Sequence, residues 1–208
     1  MVSGVPPSGP RLTREGRFQP RRFGAAAGIA LCLIAAVARA QEGGQEAHER
    51  HPHHGAYAVK ASYLVKFPAF VAWPDGAFEA PDSPFRLCIG GQDPFGPVID
   101  RFASAARVGD HPMTVARLPV VSKAADCHVL FVSVARGQAP REMLAAVAGR
   151  PVLTVVDEGL DVPGAMIQFV TVAGRARFEI RADAAVAEGL TVSSKLLSLS
   201  APRGGGER

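Results

Sequence analysis

The chain has 208 residues, 48% hydrophobic and 20% charged, which fits about one domain with a substantial core and excludes a wholly disordered chain. Its formal charge of +4 belongs to residues 1–40, where six arginines face one glutamate; beyond them 17 basic residues face 18 acidic ones. The body therefore lacks the basic surplus that phosphate backbones require, and a nucleic-acid partner is excluded.

Residues 1–40 have the layout of a cleaved export signal. Arg21 and Arg22 precede an apolar run over 23–37, and Ala38-Arg39-Ala40 offers a small-x-small cleavage site before Gln41. The apolar run is shorter than the about 20 residues that cross a hydrocarbon core. Cys32 lies inside it and leaves with it, so the mature chain is expected to begin at Gln41 and to be periplasmic. Residues 41–55 are polar and carry His48, His51, His53 and His54. With no carboxylate or cysteine framework to impose a geometry, this stretch reads as a flexible solvated linker rather than a metal site.

The folded part is expected over 56–201. Tyr63, Leu64, Phe67, Phe70 and Val71 share one face at helical spacing, which predicts an amphipathic first helix. Lys60 falls in the same arc, where its ammonium must snorkel or meet an acid. Pro68 should kink this helix and Trp73-Pro74 should end it. A strand follows over 85–89. The next segment, Gly90-Gly91-Gln92-Asp93-Pro94-Phe95-Gly96, has neither phosphate-loop spacing, and Asp93-Pro94 reads as a helix N-cap followed by proline at the first helical position.

Residues 113–118 and 127–132 read as further strands, 142–147 as a helix, and 151–156 as a strand apolar on both faces. Residues 165–172 and 175–180 form a hairpin around Ala173-Gly174. Asp183 then caps a last helix bearing Val186, Leu190 and Leu197, broken or bent at Gly189. The tail at 202–208, with three consecutive glycines, should fray. Continuous apolar strands alternating with helices predict one compact α/β domain: a mixed, mostly parallel sheet with helices on both faces.

Lys60, Leu64, Phe67, Phe70 and Trp73-Pro74 open an ordered series of short motifs. Cys88-Ile89-Gly90, Asp93-Pro94-Phe95-Gly96 and Cys127-His128-Val129-Leu130-Phe131 continue it. Pro151-Val152-Leu153-Thr154-Val155, Gly164-Ala165-Met166-Ile167, Arg177-Phe178-Glu179-Ile180, Gly189-Leu190 and Ser193-Ser194-Lys195-Leu196-Leu197 complete it. In this order the segment resembles the YfiR-like family of periplasmic proteins. The resemblance implies a small α/β regulator that binds the periplasmic region of an inner-membrane diguanylate cyclase and lowers cyclic di-GMP synthesis. It needs no cofactor, and an outer-membrane-associated protein that releases it is a further partner of this kind. A homodimer would match a dimeric cyclase.

Cys88 and Cys127, the two cysteines left after cleavage, are expected to pair in an oxidising compartment, and matched family positions carry cysteines too. The alternative is two buried free thiols. Trp73 reads as a packed helix-end anchor or, with Pro74, as a partner contact. An enzyme is disfavoured. No G-x-S-x-G elbow occurs, Ser193-Ser194 lies in a helical pattern, and Cys127 and His128 point to opposite faces of one strand. The remaining alternative is a small-ligand-binding module.

Overall fold

The computed structural model describes residues 52–203, with the backbone alone for 52–54. The expected export signal and its cleavage site, most of the expected linker and the end of the tail lie outside the described residues. Fifteen residues, Pro52–Lys66, form helix α1. A 3-10 turn, Phe67–Phe70, leads into the two-residue strand β1, Val71–Ala72. Strand β2 (Phe85–Gly90), helix α2 (Pro97–Ser104), β3 (Arg107–Val108) and β4 (His111–Leu118) follow. Next come β5 (Val129–Val132), α3 (Pro140–Val147) and β6 (Leu153–Val156). The hairpin β7 (Ile167–Val172) and β8 (Arg175–Ile180), then α4 (Ala182–Ala187), β9 (Thr191–Val192) and α5 (Ser194–Leu199), complete the chain order.

Seven strands form one mixed sheet in the order β3-β4-β2-β5-β6-β7-β8. The five strands from β4 to β7 pair in parallel, and β3 and β8 are added antiparallel at the edges. β4 and β5 flank β2 on opposite sides, so the winding reverses there, as in doubly wound sheets. Alternation along β5 divides the core. Val129 and Phe131 pack beneath α1, α2 and the C-terminal elements, while Leu130 and Val132 pack beneath α3. The α/β class, the mixed sheet and helices on both faces agree with the sequence reading.

Several local expectations are corrected. α1 begins at Pro52, ahead of the expected start at 56. It is not kinked at Pro68 but ends before it: Pro68 lacks the N–H that the next α-turn needs, so the chain tightens into the 3-10 turn and extends before Trp73. Asp93 does not cap α2. Its Oδ1 accepts the N–H groups of Phe95 and Gly96 at 2.7 and 3.2 Å, closing the preceding turn, and Pro97 opens the helix. At Gly189 the last helix is broken rather than bent, one of the two outcomes expected there. Asp183 sits in the first turn of α4, after an N-cap at Arg181. Gly189, at φ +78°, then turns the chain into β9. Ser193 caps α5 through its Oγ, which accepts the Leu196 N–H at 3.3 Å. β9 pairs antiparallel with β1, a two-stranded ribbon that short apolar pairs do not announce in sequence.

Candidate functional site

In a doubly wound sheet, ligands bind outside the carboxyl ends of the strands where the winding reverses, here between β2 and β5. That crevice is closed by the chain itself. Beyond β5, Ser133 N–H donates to Gly90 O at 3.0 Å, and beyond β2, Gln92 N–H donates to Val134 O at 2.9 Å. Gly91, at φ +90°, lies so close that a Cβ on it would stand 2.8 Å from the carbonyl oxygens of Ser133 and Val134. The Ser133 hydroxyl donates to Gln92 O. Alongside, Arg117 at the end of β4 clamps the loop before α2, reaching Asp93 at 2.7 Å and both carboxylate oxygens of Asp100 at 3.0 and 2.7 Å. These bonds raise the Arg117 pKa, with Asp100 the larger cause, and lower that of Asp100.

A second polar cluster covers the carboxyl end of β6. Of the two outcomes its position in the helix left open, Lys60, 3% exposed, meets an acid: Nζ stands 2.8 Å from Asp157 Oδ1 and 3.1 Å from Glu158 Oε2. The Tyr57 hydroxyl donates to Asp157 Oδ2 at 2.9 Å, and the Lys60 ammonium lies 4.6 Å from the Tyr57 ring centre. Burial first, and then its bond to Asp157, push the Tyr57 phenol up to about 12. Lys60 and Asp157 are buried against each other while the exposed Glu158 closes over the ammonium from the rim, which suits a packing device rather than a nucleophile.

The third arrangement surrounds the sole tryptophan. Trp73 begins the loop 73–84, whose turn at Pro74 is closed by Ala77 N–H donating to Pro74 O at 3.1 Å. The Trp73 ring is half-buried, edge-on to Phe85 at 5.3 Å, to His128 at 6.2 Å and to Phe78 at 6.4 Å; Pro74 is exposed. Trp73 Nε1 is occluded and meets no hydrogen-bond partner among the described residues. Phe78 stacks on His111 at 4.0 Å and on His128 at 5.0 Å, and His128 stacks on Phe85 at 4.8 Å. An open cleft of about 460 Å³ is rimmed by Trp73, Phe78, Pro81 and His111. Trp73 is thus a packed anchor with one accessible side, beside an exposed proline turn.

Cys88 and Cys127 are joined in a disulfide with a Cα–Cα distance of 5.8 Å and a sequence separation of 39 residues. It ties β2 to the segment entering β5, directly before His128. His128, which the sequence sets aside as a catalytic base because it and Cys127 fall on opposite faces of one strand, is 7% exposed. Its Nδ1 accepts the Arg86 N–H at 2.9 Å and its Nε2–H donates to Ala77 O at 3.1 Å. Burial lowers its pKa, and Arg86 and His111 push it the same way. The side chains weighed for catalysis are therefore engaged elsewhere: Cys127 in a disulfide, the His128 lone pair on a backbone amide, Ser193 in a helix cap.

Among the described residues no helix is long and apolar enough to cross a membrane, and no three metal-ligating side chains converge. A model of the YfiR/HmsC-like family matches residues 57–201. No curated protein matches the chain.

Proposed function

Because this chain belongs to the YfiR/HmsC-like family, we propose that it is an exported periplasmic regulator that binds the periplasmic region of an inner-membrane diguanylate cyclase and represses cyclic di-GMP synthesis. The family match across 57–201, nearly all of the folded part, carries this reading. Two features support it. The usual ligand crevice of the sheet is filled by the chain's own backbone, and the leader at 1–40 has the composition of an export signal. The contact surface we assign is the exposed turn at Pro74 with the accessible side of Trp73, an aromatic anchor set in a rigid frame. A dimer of this protein would present two such turns to a dimeric cyclase, and an outer-membrane-associated protein would relieve repression by competing for them.

Repression works by favouring the inactive cyclase, and tenfold repression requires about 1.4 kcal/mol of preference for that state. Deleting the gene should raise cyclic di-GMP only in cells that hold the partner cyclase. Pro74→Asp, placed on an exposed turn, should weaken repression without altering thermal stability. Unchanged cyclic di-GMP on deletion, in a strain whose cyclase is demonstrably expressed and repressible, would replace the regulator with the small-ligand module.

A further inference from the structure

We propose that His128 is an acid-released latch, holding the loop 73–84 and its tryptophan against the sheet only while its imidazole is neutral. The hydrogen bonds specify one proton arrangement. A backbone N–H can only donate, so Nδ1, 2.9 Å from Arg86 N, must carry a lone pair; a carbonyl can only accept, so Nε2, 3.1 Å from Ala77 O, must carry the proton. A second proton on Nδ1 would point at the Arg86 N–H. The ring must then turn or leave, and in doing so it gives up the bond to Ala77 and the stacking on Phe78 that fasten the middle of the loop.

Burial sets the direction, and the neighbours adjust it. From β2, Arg86 opposes a charge on His128, although its guanidinium is held by Asp126 and lies 3.9 Å from Glu79. From β4, His111 opposes it as well, while Glu79, on the loop itself, favours it. The remaining rings around it, Trp73, Phe78 and Phe85, carry no charge. The Nε2–H bond to Ala77 O favours the charge too, but burial outweighs it. His111 also ties the loop, donating from Nδ1 to Ser83 O at 2.7 Å, but a protonated His111 keeps that bond, so it is not the sensor. With the folded pKa below the ordinary 6.5, the unfolded or opened state binds more protons in the interval between the two values. The closed loop is therefore fully favoured above 6.5 and loses that advantage as pH falls.

Trp73 is the only tryptophan of the chain, so its emission reports the loop directly. On the whole chain, taken from about pH 8 to about pH 5, emission should move to longer wavelength and acrylamide quenching should rise about twofold, with far-UV circular dichroism constant. His128→Asn retains an acceptor for the Arg86 amide but cannot take a proton, and should show neither change. His111→Asn should still titrate, with its midpoint moved upward because a charge opposing that of His128 is gone. Hydrogen exchange tests the latch without a variant: protection of the Arg86 amide should fall over the same interval. The latch is overturned if emission and quenching are constant over this range, if His128→Asn titrates like the natural chain, if far-UV signal is lost in step with emission, or if Arg86 protection does not change. None of these outcomes depends on whether a cyclase binds Trp73.

Discussion

The two faces of the sheet are built by different means. Beneath α1, α2 and the C-terminal elements the core holds Phe67, Phe85, Phe95, Phe131, Phe169 and Phe178, drawn from nearly the whole folded length. Among the described residues, the face beneath α3 holds no aromatic side chain, comes from residues 88–165, and is joined by Cys88–Cys127. The larger face depends on contacts between distant parts of the chain, and the β1–β9 ribbon draws its two ends together. The smaller one is drawn from a shorter stretch of chain, buries fewer residues, and carries a covalent tie between two of its segments.

Adjacent residues of β5 offer the sharpest test, because they face opposite ways within one backbone environment. Phe131→Ala should cost about 4 kcal/mol and Leu130→Ala about 3 kcal/mol, read by denaturant unfolding. A larger loss at Leu130 would reverse the ranking of the faces. Next in size, the Cys88→Ala, Cys127→Ala double variant should lose roughly 3 to 4 kcal/mol, the chain entropy released by opening a loop of about 40 residues. If it loses as much as Phe131→Ala and Leu130→Ala together, the bond rather than the packing holds the smaller face.

Lys60→Met should cost about 3 kcal/mol, since it leaves Asp157 buried without its ion partner. A neutral result would mean that the aromatic face closes on apolar packing alone. The smallest effect is spectroscopic. In an alkaline titration Tyr57 should ionise near 12, against an ordinary value of 10.0. The native state then binds more protons than the unfolded one between these values, so this contribution is present below 10.0 and lost as pH rises toward 12. A Tyr57 ionising near 10.0 would place its phenol in water and Asp157 out of its reach.

The sequence by itself determined what depends on neighbours a few residues apart. Apolar runs over 127–132 and 151–156 announced buried parallel strands, the Ala173-Gly174 turn announced the hairpin, and the ordered short motifs announced the family, because side-chain period and turn chemistry are local properties. Lys60 in an apolar arc announced that its ammonium must snorkel or meet an acid, but not which of the two, nor which acid. Tertiary structure decided the rest. Asp157 reaches Lys60 across 97 positions, Ala77 reaches His128 across 51, and β9 pairs with β1 through strands too short to carry a pattern. Helix ends shifted for the same reason: Pro68 and Gly189 mark where a regular segment stops, whereas the pairing of β1 with β9 decides what replaces it. Such contacts are selected by where the packed sheet brings backbone donors, acceptors and charges together, and no pattern of residues along the chain encodes that distance.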